Sequence, residues 1–366
     1  MHCEPSADFA SAAQPHGAEA SSLELMLRPL RALLDAPEVT DVHINRPGEA
    51  WVEDQRGFRR EPCAFVTDEW CYAIAKLVAN ATRQHISAEK PLLSATLPSG
   101  ERIQIVLRPA AEHHAIAIRR ASARVWTLDE LHAMGMLERC LWIRDHAYDD
   151  ALDPRLAELD AGERAMLGLI QAGDVRGFLQ HAVVAKQNIL LSGATGSGKT
   201  TFGKALIREI PTFERLIVIE DAKELIVDHN PNHVRLFYSQ GAQGQSDVTV
   251  HTLLVACLRM RPDRILLAEV RKDEAYFYLD AVSSGHPGAI TSLHANSARL
   301  VFERVISMVR EGPGGANLAS EDIRRFLYLL VDVIVQFSKE ERADGTTVRR
   351  VSEIWYDPLI KRSRLA

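Results

Sequence analysis

Residues 188–206 read NILLSGATGSGKTTFGKAL. An apolar run, Ile189 to Leu191, breaks into a glycine-rich turn, and a helix-compatible segment follows. Gly193, Gly198, Lys199 and Thr200 fit the pattern G-x-x-x-x-G-K-T. Glycines let backbone N–H groups curl around phosphate oxygens, and the following helix aims its positive end at the same anion. A lysine at this position reaches the β- and γ-phosphates, and the threonine hydroxyl can ligate Mg²⁺. The spacing therefore predicts a nucleotide-binding loop made of Gly193, Ala194, Thr195, Gly196, Ser197, Gly198, Lys199, Thr200 and Thr201. ATP and Mg²⁺ are the ligands expected. A flexible Gly/Ser linker would not be flanked by a strand-like and a helix-like run.

Other candidate groups lie where predicted strands end. RLIVIED carries Glu220 and Asp221, with Glu224 just beyond; RILLAEV carries Glu269; GAITSLH ends at His294. Beside a phosphate loop, such carboxylates can polarise water or hold Mg²⁺ by way of water. Thr200, Glu220 and Glu269 are the expected metal ligands. A glutamate buried next to an apolar strand is costly without a cation, which favours a metal near Glu269. The residues alone leave bland alternatives open: strand-end and helix-cap carboxylates, and a hydrogen-bonded core histidine. Arg102, Arg108, Arg119 and Arg120 sit in or beside earlier strands, either as a solvated basic face or as groups facing a phosphate. Arg259, Arg261, Arg264 and Arg271 cluster in LRMRPDRILLAEVR, for ion pairs with the acidic groups or a neighbouring subunit.

These groups need elements to hold them. LELMLRPLRALLDAP has helical periodicity, TDVHIN and AWVED read as strands, and TDEWCYAIAKLVANAT as a capped helix. SATLPSGERIQIVLRPA reads as a hairpin and AIAIRRAS as another strand. TLDELHAMGMLERCLWIRDHA reads as helical, DDALDPRLAELDAGE as an acidic connection, and AMLGLIQAGDVRGFLQHAVVAK as one or two helices. From the loop onward strands and helices alternate, which predicts a mostly parallel sheet with ligands at the strands' carboxyl ends. DVIVQF and a hairpin through Asp344-Gly345 to TTVRRVSEIWYD close the chain. The expected class is α/β: a phosphate-loop domain over 161–366, an α+β domain over 23–122, a linker over 123–160, and a disordered tail over 1–22.

Composition narrows the function classes. At 366 residues the chain is long enough for two domains. A formal net charge of −6 argues against a nucleic-acid scaffold built on bulk positive charge, and sequence-specific nucleic-acid binding is not expected. No apolar run approaches the ~20 residues a membrane-spanning helix needs. The N-terminus has neither the basic start nor the apolar stretch of a secretory signal. Five scattered cysteines, none in a C-x-x-C pair, give no disulfide or metal framework and fit a reducing compartment.

GATGSGKTT, RLIVIEDAKEL and LRMRPDRILLAEVRKDEAYFYLDAVSSGHPGAITSLHANS occur in the order of the Walker A motif, Asp box, Walker B motif and His box of the secretion-ATPase superfamily. Over about residues 25–360 the chain most resembles the VirB-type hexameric traffic ATPases of type IV secretion systems. The resemblance implies a RecA-like ATPase domain preceded by a smaller α+β domain, each forming a ring of six, with nucleotide between the two domains. It implies that Lys199 and Thr200 serve phosphate and Mg²⁺, and that Glu224 activates water with Glu220 and Asp221 in support. Glu269 then matches the Walker B glutamate, His294 the His-box residue, and Arg102 and Arg119 the arginines reaching the phosphates. It further implies a cytoplasmic protein, peripheral at the inner face of the bacterial inner membrane. Its partners would be inner-membrane channel components and other secretion ATPases. One departure is Ala268 where the family usually has glycine. The type II branch usually carries a four-cysteine zinc module, which this sequence lacks; the pilus branch shares the motifs. A nucleotide-gated docking scaffold is the alternative from another class, and a small-molecule kinase leaves the Asp and His boxes unexplained.

Overall fold

A computed structural model describes residues 21–54, 56–120, 124–145, 154–238, 248–272, 274–312, 314–342 and 347–365. Most of the expected tail, part of the acidic connection and the Asp344-Gly345 turn lie outside the described residues.

The first helix, α1 (Ser22–Leu34), starts from a reciprocal cap. Glu24 N–H donates to Ser21 Oγ at 3.2 Å, and Ser21 N–H donates to Glu24 at 2.8 Å. Leu23, Leu27, Leu30 and Leu34 fall on one face and are buried. Strands β1 (Asp41–Ile44), β2 (Gly48–Asp54) and β3 (Gly57–Cys63) follow, then α2 (Asp68–Ala81), capped by Thr67. Then come β4 (Leu92–Thr96), β5 (Arg102–Val106) and β6 (Ala115–Arg119). The six strands form one antiparallel sheet in the order β3-β2-β1-β6-β5-β4. Alternation puts Val42, Ile44, Val52, Ile103, Ile105, Ile116 and Ile118 into one core with the leucines of α1 and with Ile74 and Val78 of α2. The other face therefore carries Arg102 and Arg119, which the register places directly opposite each other. Like charges in that relation repel, so each needs an anion. Strand β3, GFRREPC, is the one strand here without an apolar signature. It is an edge strand whose Arg59 pairs with Asp54 and Glu61.

The segment expected to be one helix after residue 125 is helical only over α3 (Leu128–Ala133). Gly135 turns left-handed at φ 79°, which ends the helix. Leu141–Ile143 then form β7 and join the C-terminal sheet beside its last strand. A short 3₁₀ turn (Pro154–Glu158), α4 (Ala161–Gln171) and α5 (Val175–Val184) lead to β8 (Ile189–Gly193) and α6 (Lys199–Arg208). The alternation continues through β9 (Leu216–Glu220), β10 (His233–Phe237), α7 (Val250–Cys257), β11 (Arg264–Leu267), α8 (Ala275–Ser283), β12 (Ile290–Leu293) and α9 (Ala298–Glu311). The end is α10 (Ser320–Leu330), β13 (Val333–Glu341), β14 (Thr347–Trp355) and α11 (Pro358–Leu365).

Strands β10-β9-β11 are parallel, as are β12, β8 and β13; only the β13–β14 hairpin is antiparallel. A single parallel bridge, Glu269 to Ser292, links the two sets. Every residue of β8, β9 and β11 is buried. Ile189 and Leu191 enter one core with Leu216, Val218 and Leu266, while Leu190 enters a second with Ile217, Ile219 and Ile265. Burial on both faces is why these strands read as continuous apolar runs. The apolar run from Phe326 to Val335 divides at Asp332: helix before it, strand after it. Asp332 Oδ2 accepts the backbone N–H of Asn188 at 2.8 Å, which fixes that junction beside the start of β8. Among the described residues no helix is long and apolar enough to cross a membrane.

Candidate active site

Strand β8 delivers the glycine turn and α6 leaves it. A Cβ on Gly193 would lie 2.9 Å from both the Phe337 carbonyl oxygen and Ser197 Oγ, so only glycine fits. Gly198 sits left-handed at φ 101° and caps α6 without a side-chain hydrogen bond. The N–H groups of that first turn thus lack a side-chain partner, and Ser197 Oγ is buried with no hydrogen-bond partner. These open donors, at the positive end of a helix, fit an anion such as phosphate.

Lys199 opens α6 and is buried, its Nζ donating to the carbonyl oxygens of Gly193 at 2.6 Å and Ala194 at 2.9 Å. Burial pushes its pKa down to about 8, against the attraction of Glu269. His294, just past β12, places Nδ1 3.0 Å from the Gly193 carbonyl oxygen and Nε2 3.1 Å from Glu269 Oε1. Glu269 follows β11, and its other oxygen accepts from Arg271 at 2.7 Å. Arg271 also donates to Asp221 Oδ2 at 2.9 Å. Burial opposes the charge on Arg271, but hydrogen bonding to Asp221 and the charges of Asp221 and Glu269 outweigh it and raise its pKa. The same Asp221 oxygen accepts from Arg102 at 2.9 Å, while Arg102 Nη1 donates to Glu224 Oε1 at 2.5 Å. A chain of ion pairs therefore runs from Glu269 through Arg271, Asp221 and Arg102 to Glu224, with His294 against its Glu269 end. It crosses from the parallel sheet to β5 of the antiparallel one.

The groups border a cleft of about 920 Å³. Thr195 through Thr201, Asp221, Glu224, Glu269 and His294 form one wall; Arg102, Arg119 and Arg120 form the other. Gly193 and Ala194 lie just behind, against an adjoining pocket that His294 shares. Arg119 is held by Asp41 at 2.8 Å, and Arg120 donates to the Ala36 carbonyl oxygen at 2.7 Å. Arg108 is elsewhere, 3.7 Å from Asp68, and does not line the cleft.

Glu220 departs from expectation. It is fully buried and does not line the cleft. One oxygen accepts the N–H groups of Glu224 at 2.9 Å and Leu225 at 2.6 Å; the other takes two hydrogen bonds from Arg235. With its lone pairs so occupied it is no metal ligand here; it shapes the turn that presents Glu224. Glu220 ends β9 on the sheet face where Arg235 of β10 reaches it, and the next residue, Asp221, borders the cleft. Among the clustered arginines, Arg264 is buried against Glu214 at 2.7 Å, away from the cleft. Ala268 is accommodated: its carbonyl oxygen accepts from Ser292 Oγ at 2.9 Å and its side chain packs on the core. Arg349 of β14 was not singled out from sequence. It lines the cleft and donates from Nε to the Gly196 carbonyl oxygen at 2.7 Å. Its only sequence signal is the adjacent pair Arg349-Arg350 in TVRRVSEIW.

Fold and site together define a phosphate-loop nucleotide-binding protein whose cleft is shared between a parallel and an antiparallel sheet. The profile of the family described as "Type II/IV secretion system protein" matches residues 152–334. The type IV secretion system protein VirB11 of Brucella suis biovar 1 is 43% identical over 348 residues, covering 94% of this chain and 92% of that protein. Protein VirB11 of Agrobacterium fabrum is 40% identical over 335 residues, covering 91% and 93%. The crystal structure of the Brucella suis VirB11 ATPase in complex with sulphate has 42% identity and a TM-score of 0.52, covering 94% of this chain and all of that one. The pilus retraction motor PilT with bound ADP shares the fold at 19% identity and a TM-score of 0.56, covering 95% and 88%. The chain belongs to the VirB11 family of type IV secretion ATPases.

Proposed function

We propose that this chain is an ATP-hydrolysing motor that energises type IV secretion, working as a homo-hexamer through closure of the cleft between residues 23–122 and the 161–366 domain. Within the expected linker over 123–160, Leu128, Leu131 and Leu137 pack in the core of the 161–366 domain and Leu141–Ile143 pair with β14, so this stretch moves with that domain. The observation that carries the reading is the chain of ion pairs from Glu269 to Glu224, because its Arg102 link comes from the opposite wall of the phosphate-loop cleft. The α6 N-terminus, Gly193–Thr201 and Lys199 bind the phosphates. Glu224 orients water for attack on the γ-phosphorus, and the bond to the β,γ-bridging oxygen breaks. Lys199, Arg102 and Arg119 balance the charge gathering on the phosphoryl and leaving oxygens. His294 links the γ-phosphate position to Glu269. Thr200 and Glu269 line the cleft and supply a hydroxyl and a carboxylate, a hard-oxygen donor set that fits Mg²⁺. When bound, that ion would neutralise charge on the β- and γ-oxygens. Inner-membrane channel components and other secretion ATPases are the partners, at the cytoplasmic face of the inner membrane.

The test is phosphate release by the purified full chain and by Lys199→Ala, with export scored in cells carrying each. Wild type should turn over and Lys199→Ala should fall by about a thousandfold and block export, in line with loss of a phosphate-clamping charge. Equal phosphate release from both would overturn the reading.

A further inference from the structure

His294 meets the Gly193 carbonyl oxygen, Lys199 and Glu269 from the position just after β12. The chain then enters α9 at Ala298, so residues 294–298 form a short strap. The strands beneath it run in the order β12, β8, β13, β14. Leu293, Ser192, Gln336 and Glu353 are register neighbours in that order, one from each strand. Three polar side chains of this row hold the strap. Ser192 Oγ donates to the Ala295 carbonyl oxygen at 3.4 Å, and Gln336 Nε2 donates to the same oxygen at 3.2 Å. Glu353 Oε2 accepts the Ala298 N–H at 2.7 Å, at the positive end of α9. The strap thus has one polar contact from each of β8, β13 and β14.

Gln336 is the unusual member of the row. It stands among Val333, Ile334, Val335 and Phe337, all buried, and is itself only 4% exposed. A buried amide costs free energy unless its hydrogen bonds are made. Its Nε2 reaches the carbonyl oxygens of Ala295 and, at 3.3 Å, Phe337, but its Oε1 is buried without a partner among the described residues. An apolar side chain of that size would suit the strand better, so the glutamine's use lies in the strap.

We propose that Gln336 and Glu353 are positioning residues for His294, resting on the ATPase reading above. They suspend the strap so that the imidazole bridges the Gly193 turn and Glu269. Neither lines the cleft or the pocket adjoining it, so both act through His294. A loosened strap leaves phosphate binding at Gly193–Thr201 in place but lets His294 drift from Glu269. A misplacement on the order of 1 Å can cost up to about a hundredfold in rate.

The test is steady-state turnover of the full chain in Gln336→Leu, Glu353→Leu and Glu353→Gln, each made also in a His294→Ala background. Gln336→Leu should lower kcat by about tenfold and change the KM for ATP by no more than about twofold. Glu353→Leu should lower kcat by about threefold to tenfold, and Glu353→Gln, which keeps an oxygen acceptor, should regain most of that loss. In the His294→Ala background each substitution should cost less than about twofold, because groups that act as a unit are not additive. Wild-type kcat in both leucine variants would overturn the proposal. So would a loss by the same factor with and without His294, which would make the row a structural feature alone. If the wild type itself releases no phosphate, the ATPase reading falls and this proposal with it.

Discussion

The two walls of the cleft are built by opposite means. The loop wall hangs from β8, β9 and β11, whose every residue is buried and which two separate cores grip from opposite faces. Its functional groups stand at or just past the carboxyl ends of those strands and of β12. The arginine wall is the open face of an antiparallel sheet with a core on one side only. Its groups are long side chains held by ion pairs: Arg119 by Asp41, Arg102 by Asp221 and Glu224 across the cleft. The loop wall is preorganised by packing, whereas the arginine wall takes its position partly from the other wall. Changes to the loop wall should therefore cost fold and function together, and changes to the arginine wall should cost rate alone.

The largest effect that could break this contrast is on the loop wall. Glu269→Gln removes the carboxylate that His294 and Arg271 both contact, and should lower turnover by about a hundred- to a thousandfold. Nucleotide affinity should fall far less; equal losses in both would mean that Glu269 only holds the site together. Gly193→Ala forces a methyl to 2.9 Å from the Phe337 carbonyl oxygen. It should destabilise the chain by about 1–3 kcal/mol in denaturant melts and weaken ATP binding as well. Glu220→Ala should cost a similar amount, because it leaves two backbone N–H groups and a largely buried Arg235 without their acceptor. An unchanged melt in Glu220→Ala would contradict that structural role.

A smaller effect separates the walls by pH. Lys199 has its pKa lowered by burial to about 8, and triphosphate favours its charged form. ATP affinity should fall as pH rises through about 8, by at most about tenfold per pH unit, with proton uptake on binding over that range. In the free protein the sign is reversed. A lysine whose folded pKa lies below its unfolded one makes stability rise with pH from about 8 until the unfolded lysine also loses its proton. Lys199→Arg should flatten the binding profile. A profile that keeps its slope in Lys199→Arg would assign the titration elsewhere.

The same contrast explains what could be read from the sequence. Strand-end groups were legible because packing ties them to short runs with fixed spacing: Gly193–Thr201, Glu224, Glu269 and His294 all border the cleft region as expected. The misplaced residue, Glu220, is one position away from a cleft residue, and one step along a strand reverses the facing direction. The sequence shows that step only if the strand's last residue is known. On the arginine wall, residue type was legible but direction was not. Choosing Arg102, Arg119 and Arg120 over Arg108 requires the register of β5 against β6. Strand β3, GFRREPC, was missed because charged residues interrupt its alternation, and α10 because its C-terminal half merges into the apolar run that continues into β13. β7 was hidden in a segment whose helical beginning ends at Gly135. Arg349 was invisible because it meets the loop only through the β13–β14 pairing.

The account's central claim is that the arginine wall completes the loop wall's chemistry. The most direct test is steady-state turnover of Arg102→Ala in the full chain, measured beside its thermal melt and its ADP affinity. We predict a kcat lower by about ten- to a hundredfold, a near-unchanged melt, and ADP binding within a few-fold of wild type. A wild-type kcat in Arg102→Ala would contradict the shared site and leave the parallel-sheet wall as the whole active site.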